Sequence, residues 1–86
     1  MRKVIFERNA FEDIEYWLKN DRRMLKRILE LIREIDRTPF SGLGKPEPLR
    51  HDFKGCWSRR IDDEHRLVYF VDDSTINILS CRYHYK

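Results

Sequence analysis

A chain of 86 residues builds one modest hydrophobic core and no second lobe with a deep cleft between, so any active site is expected to be a shallow surface. With 41% hydrophobic and 38% charged residues the composition is that of a soluble globular protein; no apolar run approaches a membrane span, and Met1–Phe6 is too short for a signal peptide, which makes a reducing cytoplasm the expected location. Eighteen Lys and Arg against 15 acids leave a net charge of +3, an excess that suits a polyanionic partner without requiring one.

Lys3 to Phe6 is short and β-branched, which predicts a first strand. Asn9 with Glu12 three residues on resembles a capping box and predicts a helix through about Lys19. Its apolar positions Ala10, Phe11, Ile14, Trp17 and Leu18 fall at helical spacing and leave Glu12, Asp13 and Glu15 for solvent. A second helix is expected from Asp21 as cap to about Arg37, with Met24, Leu25, Ile28, Leu31, Ile32 and Ile35 as its core stripe. The stretch from Thr38 to Pro48 holds all three prolines and two of the three glycines, and reads as a stiff loop from helix to sheet. Beyond it, Trp57–Ile61, His65–Val71 and Thr75–Arg82 read as strands separated by the turns Asp62-Asp63-Glu64 and Asp72-Asp73-Ser74. The expected order is β-α-α-β-β-β: an α+β fold in which two N-terminal helices pack on one face of a small, largely antiparallel sheet, forming one domain over residues 1–86. Cys56 and Cys81 lie in strand-like sequence and read as buried free thiols rather than a bridge.

Strand alternation puts Arg66, Val68 and Phe70 on one face and Leu67, Tyr69 and Val71 on the other. A second hairpin that pairs Val71 with Thr75 sets Arg66 across from Ser80, on the face shared with Arg82 and, further on, His84. Guanidinium groups collected there suit phosphate, although exposed sheet faces also carry arginine for solubility. The tail Cys81-Arg82-Tyr83-His84-Tyr85 adds an imidazole, which can give or take a proton near neutral pH. Glu47, clamped between Pro46 and Pro48, is a rigidly aimed carboxylate and a candidate general base. Taken singly, His84 also reads as an incidental terminal histidine and Glu47 as a solvated loop glutamate. Together, Glu47, Arg66 and His84 are the minimum set for metal-free RNA cleavage: base, charge stabiliser and acid. The contiguous Asp62, Asp63, Glu64 and His65 invite a metal reading, but consecutive acids in a turn splay apart and the turn preference of aspartate accounts for them. No metal or cofactor is expected.

Five blocks make a signature: Thr38-Pro39-Phe40 with Gly42 and Gly44; Lys45-Pro46-Glu47-Pro48-Leu49; Trp57-Ser58-Arg59-Arg60-Ile61; His65-Arg66-Leu67-Val68-Tyr69; and Cys81-Arg82-Tyr83-His84-Tyr85. In this order and spacing they closely resemble the YoeB (Txe) branch of the RelE/ParE toxin superfamily, across essentially the whole chain. The resemblance implies the toxin of a type II toxin-antitoxin pair, an mRNA interferase that cleaves messenger RNA in the ribosomal A site and halts translation. Carried over by motif, it implies Glu47 as general base, His84 as general acid, Arg66 as transition-state stabiliser and Tyr85 as a residue that orients or stacks on the substrate. Lys45, Arg50, Arg59, Arg60, His65 and Arg82 become candidates for contacts to RNA phosphates. Lys86, after the tyrosine that commonly ends the chain in this family, is a departure that adds a cation beside the site. The partners implied are a cognate antitoxin, whose acidic, partly disordered segment would fold across the basic face and displace the C-terminal residues, then the ribosome and its messenger, and a second copy in a homodimer; no membrane is implied. Two alternatives remain at this point: a non-catalytic, ParE-like inhibitor of a protein target such as DNA gyrase, and a general RNA-binding module.

Overall fold

The computed structural model describes residues 1–84. It contains β1 (Lys3–Phe6), α1 (Arg8–Asn20), α2 (Arg22–Arg37), β2 (Glu47–Pro48), a single 3-10 turn at His51–Phe53, β3 (Trp57–Arg60), β4 (Arg66–Val71) and β5 (Thr75–Ser80). The strands form one sheet in the order β1-β5-β4-β3-β2. β1 runs parallel to β5 and all other neighbours are antiparallel, so the sheet is mixed, with one parallel pair at its edge. Among the described residues no helix is long and apolar enough to cross a membrane.

The core follows from the second helix. Ile28, Leu31 and Ile35 are fully buried and pack with Ala10 and Trp17 of α1 and with Leu67, Tyr69, Ile76 and Ile78 of β4 and β5. Asp21 caps α2 as expected, its carboxylate accepting from the Arg23 N–H at 3.1 Å. The first helix departs from expectation. It begins at Arg8 with Glu7 as its cap and no side-chain cap bond, so Asn9 lies inside the first turn. The reason is the sheet: the Glu7 N–H donates to Ile78 O at 2.9 Å while Glu7 O accepts from Phe11 N–H, so the chain turns directly from strand into helix. Phe11 and Leu18, assigned to the core by spacing, are exposed, and Asp13, assigned to solvent, is half-buried against the tail.

The hairpin between β4 and β5 also closes differently. Val71 pairs with Ile76, not Thr75, one residue from the expected register. Asp72 sets this turn: its carboxylate accepts from the N–H groups of Ser74 and Thr75 at 2.9 and 2.7 Å, and the Asp72 N–H donates to Thr75 O. These bonds hold its pKa below the ordinary aspartate value, the Ser74 N–H contributing most. A slip of one residue would turn the far end of β5 over, but an irregularity at Val68/Tyr69 shifts the register again, so that Val68 faces Ser80. Leu67 and Tyr69 still point to the helices; Arg66, Val68 and Phe70 still point away.

Arg59 is enclosed in the helix side of the sheet, where its neighbours on β4 are Leu67 and Tyr69. Its Nε donates to the Tyr69 hydroxyl at 3.1 Å, Nη1 to Leu43 O at 2.8 Å, and Nη2 to the carbonyls of Thr38 and Ser41. The Tyr69 hydroxyl in turn donates to Pro39 O. One buried cation therefore gathers three carbonyls of the 38–43 loop, those of Thr38, Ser41 and Leu43, and is itself hydrogen-bonded as a buried charge requires. Gly44 then passes so close to β3 that a Cβ would lie 3.1 Å from Arg59 Cβ and 2.9 Å from Leu31 Cδ2, with φ +86°.

Candidate active site

The loop so anchored delivers Glu47. After Gly44 O accepts from the Arg60 N–H at 2.7 Å, Lys45 takes a left-handed φ of 52° and the chain drops alongside β3 as β2, with Glu47 opposite Ser58 and Pro48 opposite Trp57. The sequence reading missed this two-residue strand because two prolines flank the glutamate; at the sheet edge, prolines are tolerated. Leu49 closes the far side, buried, its N–H donating to Cys56 O.

Register places the candidates relative to one another. On the face without helices, Glu47, Ser58, Val68 and Ser80 form one row across four strands, and the next row pairs Arg60 with Arg66. Ser58 and Val68 are buried and make the floor. With neighbouring strands about 4.8 Å apart and about 3.3 Å per residue along a strand, the backbones of Glu47 and Arg66 are roughly 12 Å apart. Arg66 is nearly buried, and its bonds to the described residues run through Nη1, to the carbonyls of Asp62 at 2.8 Å, His65 at 3.1 Å and Asp63 at 3.4 Å.

Glu47 lines a cleft of about 500 Å³ that runs through Leu49, Arg50 and His51 to Phe53. His84 lines a neighbouring cleft of about 930 Å³ with Asp13, Leu79, Arg82 and Tyr83, and Phe53 belongs to both. The two clefts thus meet at Phe53, with the proposed base in one and the exposed imidazole in the other. Tyr85 lies outside the described residues.

The segment carrying His84 is not a strand. β5 ends at Ser80, and the next peptide groups are taken by side chains and by β4. The Cys81 N–H donates to Asp13 Oδ2 at 2.9 Å, and Cys81 O accepts from Trp17 Nε1–H at 2.8 Å. The Tyr83 N–H donates to His65 Nδ1 at 2.7 Å, and Tyr83 O accepts from the Arg66 N–H at 3.0 Å. Tyr83 itself has φ 61°, a region that non-glycine residues seldom adopt. Burial pushes the pKa of the Asp13 carboxyl above the ordinary aspartate value, against the opposing pull of the Cys81 N–H and Arg82. Burial, with Asp13 nearby, pushes the Cys81 thiol up to about 12.

Three of the expected RNA-contact residues are placed otherwise. Arg59 is fully buried and holds the 38–43 loop. His65 is buried with its Nδ1 occupied by the tail, its ring edge-on to Trp17 at 4.8 Å. Arg82 does not join Arg66: with β5 ended, its guanidinium lies 3.5 Å from the Tyr16 ring of α1 and donates to the Tyr83 hydroxyl, stacked by cation–π attraction. Lys45, Arg50 and Arg60 are exposed, and Arg60 sits beside Arg66. In the Asp62–His65 turn, Asp62 accepts from the N–H groups of Glu64 and His65. Asp13, Trp17 and Phe53 were missed as parts of the site. Nothing in local sequence marks Asp13, which sits on the polar side of an amphipathic helix, and only the fold reveals what it touches.

Residues 6–85 match the family model described as the YoeB-like toxin of bacterial type II toxin-antitoxin systems. "Toxin RelK" of Mycobacterium tuberculosis is 56% identical over 85 residues, covering 99% of this chain and 100% of that protein. Among solved structures, the YoeB dimer of Staphylococcus aureus superposes with a TM-score of 0.92 at 50% identity, over 98% of each chain. The toxin in the heterotetrameric YoeB–YefM toxin-antitoxin complex of the same organism superposes with a TM-score of 0.90 at 50% identity, over 99% of each.

Proposed function

The chain belongs to the YoeB-like toxins of bacterial type II toxin-antitoxin systems, and from that premise we propose that it is a metal-independent endoribonuclease cutting messenger RNA in the ribosomal A site. The observation that carries this reading is the shared sheet face of Glu47 and Arg66, with His84 in a cleft that has Phe53 in common with the Glu47 cleft. Glu47 takes the proton of the ribose 2′-hydroxyl, whose oxygen attacks the adjacent phosphorus. Negative charge grows on the non-bridging oxygens of the pentavalent phosphorane, where Arg66, with Arg60 beside it, supplies fixed positive charge. His84, entering as imidazolium, gives its proton to the departing 5′-oxygen, so the products carry a 2′,3′-cyclic phosphate and a 5′-hydroxyl. Tyr85 orients the nucleotide beside the acid.

Lys45, Arg50 and Arg60 contact RNA phosphates, which makes the encounter weaken with salt. A shallow site on so small a chain orders a flexible strand poorly, which is why the ribosome, which holds the messenger extended, is part of the proposed substrate. An antitoxin is proposed as partner because the related S. aureus toxin is found with YefM, and a homodimer because that toxin is also found as one. Mapping cut sites on a messenger bound to programmed ribosomes, and on the same messenger free, tests the reading. Cleavage confined to the A-site codon and lost in Glu47→Ala and His84→Ala supports it; no cleavage, or equal cleavage by both variants, refutes it.

A further inference from the structure

We propose that His65 is a positioning residue for the cleavage reaction, holding the backbone of Tyr83 in the left-handed turn that delivers His84, with Asp13 and Trp17 holding the peptide groups of Cys81 for the same purpose. The inference rests on the acid role proposed for His84. Among the described residues, four hydrogen bonds hold the peptide groups of Cys81 and Tyr83, and only one of them, from the Arg66 N–H to Tyr83 O, is of the kind a continuing strand would make. The other three use side chains, two from α1 and one from His65, just before β4. They hold residues 81–83, beyond the end of β5, with Tyr83 in a backbone conformation that a side chain disfavours.

An imidazole fits this task. Nδ1 stands close to the main chain on a rigid ring, and here it accepts, which places the ring proton on Nε2, 3.5 Å from Glu64 Oε1. The ring is buried between Trp17 and Tyr83, at 4.8 and 5.3 Å between centroids, so it cannot swing out to a phosphate. Its neighbour in sequence is Arg66. One dipeptide therefore fixes both the turn before the acid and the cation that faces the phosphorane, which ties their relative placement to a few covalent bonds. Displacement of a catalytic group by about 1 Å costs about a hundredfold in rate, so loosening this turn should act on the chemical step.

The test compares the full-length wild type with His65→Asn, whose Oδ1 stands where Nδ1 does, and His65→Phe, which keeps the ring without the acceptor. Single-turnover cleavage on programmed ribosomes is measured at saturating and sub-saturating ribosome concentration. Hydrogen exchange of the Tyr83 amide and the ¹⁵N shifts of the His65 ring are read on the free protein. The expected result is a Tyr83 amide that exchanges at least tenfold faster in His65→Phe, and a saturating rate lower by about a hundredfold with half-saturation within threefold. His65→Asn should stay near wild type in both, and the wild-type ring should show a bare Nδ1. Should His65→Phe fail to fold, Trp17→Phe removes the donor to Cys81 O while keeping a ring, and should show the same split between rate and half-saturation. Wild-type rate in the Phe variant, or an Asn variant no better than Phe, or a loss of ribosome binding with the rate intact, overturns the inference. A wild type that cuts nothing on ribosomes refutes the proposed function instead, and the exchange measurement still decides whether His65 holds the tail.

Discussion

Replacing Arg59 by methionine keeps the length of the stem and deletes the buried guanidinium. Four hydrogen bonds disappear, to the Tyr69 hydroxyl and to the carbonyls of Leu43, Thr38 and Ser41. Charge-assisted bonds are worth about 1.5–3 kcal/mol each, but burying a guanidinium offsets much of that sum. Breaking a buried network while its acceptors stay enclosed leaves a net loss of about 3–5 kcal/mol. A chain of this size has a total stability of about 4–13 kcal/mol, so the loss takes a large share. At about 4–8 °C per kcal/mol the melting temperature should fall by at least ~12 °C. Urea unfolding followed by the fluorescence of Trp17 and Trp57 measures it. Arg59→Lys should recover less than half, because one ammonium cannot reproduce the planar fork. A loss below about 1 kcal/mol in Arg59→Met would refute the claim that this side chain holds the loop. At temperatures where the variant is folded, the salt dependence of RNA binding should keep its wild-type slope, whereas Arg60→Ala should lower the slope by about one phosphate.

Gly44→Ala should cost more than Gly55→Ala, although both have φ near +90°. A Cβ at 44 meets Leu31, Arg59 and the Arg60 carbonyl at 2.9–3.2 Å, whereas at 55 it meets only Phe70 at 3.9 Å; equal losses in urea unfolding would contradict this. Cys81, its thiol pushed up to about 12 by burial, should resist a disulfide reagent at pH 8 in the folded protein and react once urea unfolds it; rapid labelling of the native protein would show an open site. Asp13→Asn keeps an acceptor for the Cys81 N–H and removes the charge. Because the folded-state pKa of Asp13 is raised, the native protein binds the proton more tightly than the unfolded chain does. Wild-type stability from this group therefore falls as pH rises through 3.8 toward the folded value. The Asn variant should gain on wild type across that window and hold the gain above it; a difference that shrinks as pH rises would reverse the sign.

Much of the fold was legible because local signals agreed. The stripe from Met24 to Ile35 and the cap at Asp21 specified α2, and alternation in Arg66–Val71 set which side of β4 faces the helices. Glu47 and Arg66 could be nominated because a proline clamp and a strand period are local features. Tertiary contacts decided the rest. The Asp72 turn moved the hairpin by one residue, and the irregularity at Val68/Tyr69 restored the faces further along. Arg59 sits at a strand position where alternation points inward, yet a charge type argues for solvent; the loop carbonyls that accept from it are 16 to 21 residues away in sequence. His65 became a candidate phosphate contact only through the family resemblance, and its partner is a backbone N–H 18 residues on. Extending β5 through Arg82 ignored that Asp13 and Trp17 take both polar groups of the Cys81 backbone.

The end groups of the cut messenger test the central claim most directly. Programmed ribosomes carrying an A-site codon with ordinary ribose, or with a single 2′-deoxyribose at the cut position, are treated with the protein in excess chelator, and the fragments are analysed by mass. Attack by the 2′-hydroxyl under Glu47 and His84 predicts a 2′,3′-cyclic phosphate opposite a 5′-hydroxyl, undiminished by chelator, and no cut at the deoxy position. A 3′-hydroxyl opposite a 5′-phosphate, or cleavage that survives the deoxy substitution, would contradict it.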